Sequence, residues 1–154
     1  MPTPEERLAE LGLAVPEVAA PVAAYVPAVR SGSHVFTSGQ LPMRGGELMA
    51  VGKVGGEVTA EEAYACAQQC VLNAIAAVRA EVGELARVRR VVKVVAFIAS
   101  TPDFTGQPGV ANGASELLGK VFGEAGVHAR SAVGVPVLPL DAPVEVELIV
   151  EIDD

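Results

Sequence analysis

Tryptophan is absent from the chain, and two tyrosines and four phenylalanines are the only aromatic side chains besides histidine among its 154 residues. Half of the residues are nevertheless hydrophobic, 51%. The core must therefore be built from Val and Ala, packed through small residues and close element contacts. Histidine is scarce too. His34 and His128 are spaced neither as metal ligands nor as members of a triad, and each reads as a surface or turn residue. Two cysteines, Cys66 and Cys70, fall four apart in a helical pattern, with no histidine or second cysteine pair to complete a metal site. They read as reduced core residues. Positive charge is short: 11 Lys and Arg face 19 Asp and Glu, leaving −8. Such a chain repels phosphate backbones, which argues against a nucleic-acid partner. The one basic cluster, "ARVRRVVK" (86–93), follows Glu81 and Glu84 and reads as a solvated helix end or strand start. No apolar run reaches the roughly 18 residues of a membrane helix. The N-terminus "MPTPEERLAELGL" is acidic and lacks the basic-then-apolar order of a secretion signal. The expectation is a cytoplasmic protein with no membrane partner, folded as one domain over 1–154.

What is present is a clear order of elements. Thr3, Pro4 and the glutamates after them open a short peripheral helix within residues 1–15. Residues 16–32 are rich in Pro and Ala, and Pro27 argues for an edge strand or extended arm. "SHVFTSGQLPM" (33–43) reads as a strand broken at Ser38-Gly39, and Gly-rich 44–58 as a hairpin. Thr59 with Glu62 forms a capping box that opens a helix closed by Gly83. Its apolar positions Ala63, Ala67, Cys70, Val71, Ala74, Ile75 and Val78 follow helical spacing. "VRRVVKVVAFIAS" (88–100) is a buried strand, 109–126 a second amphipathic helix, and 132–152 two strands joined by a Pro/Asp turn, read as a hairpin. The fold class is α+β: a mixed sheet with two long helices on one face. Both side-chain sets of the inner strands are apolar, so the second sheet face needs a partner. Packing of sheets from several subunits is the expected solution.

Charged residues in apolar surroundings mark the candidate chemistry. Arg130 stands at the entrance of the strand after the second helix. It either caps the carbonyls of the helix ending near 123–126 or grips a carboxylate in a two-pronged geometry. Glu145 and Glu147 share one face of the last strand; with both sheet faces covered, at least one of them is partly buried and able to position a water. Tyr25 is either a packing residue or a ligand wall. The Ser38-Gly39-Gln40 break can turn backbone N–H groups toward a cavity. Asn112 can cap its helix or reach a ligand. No GxSxG, P-loop or GxGxxG stands in a usable context, and no nucleophile is paired with a base.

Two blocks carry a family likeness: "YVPAVRSGSHVFTSGQLP" near the start and "HARSAVGVPVLPLDAPVEVELIVEI" at the end. They resemble the signature blocks of the Rid/YjgF family, the reactive-intermediate deaminases also labelled endoribonuclease L-PSP. The likeness runs from about Pro21 to Ile152, and the helix containing "NGASELL" resembles a subgroup. The resemblance implies a chorismate-mutase-like fold and a homotrimer with a central barrel and ligand clefts between subunits. It implies hydrolysis of 2-imino or enamine acids to 2-keto acids and ammonia, without cofactor or metal. The ligand would be a small carboxylate-bearing imine or keto acid. The alternative is a non-catalytic trimer that binds small carboxylates. By resemblance, the carboxylate-gripping arginine falls on Arg130 and the water-positioning glutamate on Glu145. The cleft tyrosine falls on Tyr25, the backbone contacts on Ser38 and Gly39, and an asparagine on Asn112 if gaps are allowed. Many members have a cysteine where this chain has Ala132, which removes thiol chemistry from that position.

Overall fold

The computed structural model describes residues 1–18 and 24–153. The 19–23 part of the expected 16–32 arm, with Pro21, lies outside the described residues. Helix α1 (Pro4–Glu10) is capped by Thr3, whose hydroxyl accepts from Glu6 N–H while the Glu6 carboxylate accepts from Thr3 N–H. Helix α2 (Ala60–Val82) opens with the same reciprocal box between Thr59 and Glu62, at 3.1 and 3.2 Å. In both, a side-chain oxygen satisfies an N–H that the first turn leaves unpaired. The strands are β1 (Ala28–Ser31), β2 (His34–Thr37), the short pair β3 (Met43–Arg44) and β4 (Glu47–Leu48), then β5 (Val88–Ala99), β6 (Ala129–Val135) and β7 (Val144–Ile152). Helix α3 (Gln107–Phe122) links β5 to β6, and a 3-10 turn at Gly123–Gly126 follows it.

The main sheet runs β1-β2-β7-β5-β6, so β6 and β7 do not pair. This corrects the expected closing hairpin. β6 lies parallel to β5 and β7 antiparallel to it, on opposite sides. The physical reason is the β5-α3-β6 unit: a helical crossover places the next strand parallel and adjacent. Residues 136–143, "PVLPLDAP", are too long and too proline-rich for a tight hairpin turn. They carry the chain across to the far side of β5.

Strand alternation sorts the sheet into two faces. Val144, Val146, Leu148, Val150 and Ile152 of β7 are buried with Val94, Ala96 and Ile98 of β5 under α2 and α3. The α2–α3 contact is close because Gly113 sits against the Tyr64 carbonyl, where a Cβ would collide with backbone. The opposite face carries Val29, Phe36, Val95, Phe97, Val133 and Ile149 by register. A small cluster of Ala99, Leu138 and Ala142, with Leu41, Leu48 and Val135, covers the Phe97 end. Val29, Phe36 and Val133 stay 53%, 44% and 44% exposed. Among the described residues, no helix is long and apolar enough to cross a membrane.

Candidate functional site

The candidate residues fall into two groups, and the sheet separates them. The first forms where β6 meets α3. Arg130 pairs in register with Val94, a residue of the helix-covered face, so its side chain points toward α3. There Pro108, Asn112 and Ser115 stand at i, i+4 and i+7, one stripe of the helix. Arg130 Nη1 donates to Asn112 Oδ1 at 2.8 Å and to Ser115 Oγ at 3.2 Å, and Nη2 donates to the Pro108 carbonyl at 3.3 Å. Arg130 thus contacts α3 along residues 108–115 rather than the carbonyls near 123–126, and it lies within β6 rather than before it. Asn112 is an interior helix residue; the N-cap position belongs to Gly106. Ala132 follows Arg130 on the same face, opposite Ala96.

Ser115, which the sequence did not single out, and His128, which stands beside Arg130 in the sequence, complete it. His128 Nε2 lies 2.8 Å from Ser115 Oγ, and Nδ1 lies 2.6 Å from the Gly126 carbonyl. Gly126 is tucked against the Leu118 carbonyl, an approach that any side chain would block. His128 is therefore held at both ring nitrogens rather than free at a turn. The available signals were Ser115 one turn after Asn112 and His128 two residues before Arg130. Among the described residues, Arg130 has three neutral acceptors and no carboxylate partner. A guanidinium has five N–H donors. Those left over are on Nε and Nη2, which share one edge of the guanidinium plane, the edge suited to a two-pronged carboxylate.

The second group centres on Glu145, which lies on the other face. Glu145 pairs in register with Phe97 of β5, three residues beyond Val94, hence on the opposite side. Its carboxylate rests on Gly39, where a Cβ would overlap Oε2. Burial first, and then the neighbouring Glu147, push the Glu145 carboxyl above its ordinary range. Ser38 is not available as the donor expected of it: its N–H goes to the Pro27 carbonyl at 2.8 Å and its hydroxyl to the Val26 carbonyl at 2.6 Å. Gly39 N–H has no hydrogen-bond partner among the described residues. Gly39 also lines a cleft of about 580 Å³ with Tyr25, Gln40, Leu41, Arg44 and Gln69. Asn73, 3% exposed, stiffens this wall by donating to the carbonyls of Leu41 and Met43, both at 3.0 Å, while accepting from Gln69. Arg44, Gln69 and Asn73 were not singled out from the sequence; they lie 30 residues and more from Gly39 or on a two-residue strand without a motif.

The cysteines stand apart from both groups. Both are buried and unpaired. Burial pushes the Cys66 thiol up to about 11, with Glu62 adding to it, and drives Cys70 well above the usual range. Neither is set up as a thiolate. No group of three His, Cys, Asp or Glu among the described residues is arranged to hold a metal.

Comparison with known proteins matches residues 5–152 to the family model described as "YjgF/chorismate mutase-like, putative endoribonuclease". Protein TCP17 of Trypanosoma cruzi is 45% identical over 148 residues, covering 96% of this chain and 92% of that protein. The crystal structure of Atu1372 from Agrobacterium tumefaciens, described as of unknown function, is 46% identical with a TM-score of 0.92, covering 97% of this chain and 92% of that one. A Shewanella oneidensis structure carrying the same endoribonuclease description is 38% identical with a TM-score of 0.95, covering 98% and 100%.

Proposed function

Because the chain belongs to the YjgF/chorismate-mutase-like family, we propose that it hydrolyses reactive 2-imino or enamine acids to 2-keto acids and ammonia, without a cofactor, at clefts between subunits. The observation that carries this reading is Arg130: a cation held by three neutral acceptors, with N–H groups on Nε and Nη2 still open. A small carboxylate is the ligand that such an edge selects.

The chemistry asks little of the protein. A protonated imine is already electrophilic, so orientation and a placed water supply most of what is needed. Water adds to the C=N carbon, the nitrogen takes up the electron pair and a proton, and collapse of the carbinolamine releases ammonia and leaves the 2-keto acid. In this scheme Glu145 holds the water and takes its proton, a task helped by a carboxyl raised above its usual range. Gly39, whose backbone Glu145 rests against, supplies the backbone N–H donor in this scheme. Arg130 and Glu145 lie on opposite faces of one sheet, so a site using both needs the Arg130 half of one subunit and the Glu145 half of another. A homotrimer in which the sheets close a central barrel brings unlike surfaces together. It would also cover Val29, Phe36 and Val133. The net charge of −8 weighs against an RNA substrate.

The test is a coupled assay. An amino-acid oxidase generates 2-imino acids, and their loss is followed with and without this protein. Acceleration, abolished in Arg130→Ala, supports the reading. Carboxylate binding without acceleration would instead assign a non-catalytic binder.

A further inference from the structure

We infer that Ser115 and His128 are positioning residues for Arg130: His128, acting through Ser115, fixes the guanidinium so that its Nε and Nη2 edge faces outward. The hydrogen bonds give the direction of the chain. The Gly126 carbonyl can only accept, so His128 Nδ1 carries a proton and donates to it. In the neutral ring, Nε2 is then an acceptor, and the Ser115 hydroxyl donates to it across 2.8 Å. With its proton committed, Ser115 Oγ presents lone pairs, and Arg130 Nη1 donates to one of them at 3.2 Å. Asn112 Oδ1 takes the other Nη1 proton. Both Nη1 protons are consumed and one Nη2 proton goes to the Pro108 carbonyl, which pins that end of the guanidinium to α3 and leaves Nε–H and the second Nη2–H for a ligand.

Without His128 as acceptor, the Ser115 hydroxyl is free to rotate and direct its proton toward Arg130, where it would oppose rather than accept. The polarity of the chain therefore depends on the imidazole. A long, rotamer-rich side chain fixed before binding loses less entropy on binding. This inference rests on the reading of Arg130 as a carboxylate grip, but its geometric part can be tested without any carboxylate.

The experiment uses the full-length chain and reads ¹⁵N relaxation of the Arg130 Nε–H, assigned by its disappearance in Arg130→Lys. Ser115→Ala and His128→Asn are expected to lower its order parameter. His128→Asn keeps a donor toward Gly126 but no acceptor toward Ser115. His128→Gln, whose longer amide can accept from Ser115, is expected to retain the order. A role of His128 confined to tying down Gly126 would favour the Asn variant over the Gln variant in thermal stability. Unchanged Arg130 order in both Ser115→Ala and His128→Asn overturns the inference. The second arm measures pyruvate affinity, which should weaken roughly three- to tenfold in Ser115→Ala and His128→Asn, the worth of one hydrogen bond. If pyruvate does not bind the native protein while Arg130 order responds as expected, the carboxylate reading falls and the hydrogen-bond assignment stands.

Discussion

Arg130 is bound to the protein through neutral oxygens only, and its removal leaves three acceptors that water can reach. Arg130→Ala should therefore cost about 1 kcal/mol or less, a drop in Tm of roughly 2–4 °C. The same change should cut carboxylate affinity or catalytic efficiency by roughly tenfold to a few hundredfold, and Arg130→Lys should recover only part, since a point charge lacks the planar fork. Calorimetry beside ligand titration checks both; a steep loss of Tm with binding intact would make Arg130 a structural brace. Glu145 gives a prediction with a definite sign. Its carboxyl is raised in the fold, by burial and then by Glu147, so the folded state holds the proton more tightly than the unfolded one. Ionising it costs stability, a cost absent below the ordinary carboxylate range and fully present at neutral pH. Glu145→Gln should thus raise Tm at neutral pH, lose that advantage near the ordinary glutamate value of about 4.3, and lower imine hydrolysis. No gain at neutral pH would contradict the burial account. Both charged residues were legible in the sequence because each interrupts an apolar strand. Ser115 was not, because its links to His128 and Arg130 cross from α3 to β6 and the residues just before it.

Both long helices could be read from the sequence, since the Thr59–Glu62 box and the apolar spacing of α2 are local signals. The strand partners could not. Periodicity shows that β6 and β7 are apolar strands but does not say that β5 lies between them, because a parallel partner is chosen by the crossover helix. The glycines of α3 give an element-scale prediction. Gly119 faces open space and Gly113 faces the Tyr64 backbone. Gly119→Ala should stabilise by about 0.5–1 kcal/mol through helix propensity. Gly113→Ala should cost roughly 1–3 kcal/mol, because the two helices must move apart. Denaturant unfolding of the two variants checks the sign of each; equal gains would mean that α2 and α3 are not in the contact described.

An apolar sheet face without a helix was legible from the doubly apolar strands, and Val29, Phe36 and Val133 are where it stays exposed. The separation of the candidate site onto two faces was not, since it follows from the β5–β6 and β5–β7 registers together. Sedimentation at micromolar concentration should give three times the 15.8 kDa chain mass, and Phe36→Glu should shift it toward monomer by placing a charge on the packed face. The central claim is that a working site takes Arg130 from one subunit and Glu145 from the next. Mixing two inactive variants tests it most directly. Arg130→Ala and Glu145→Gln chains are co-refolded in equal amounts and assayed for imine hydrolysis. Random assembly of a closed ring leaves about a quarter of the interfaces with both native residues, so activity should return to about a quarter of the native value. Activity no higher than that of the separate variants, in a mixture shown to have exchanged subunits, would place the whole site within one chain and contradict the account.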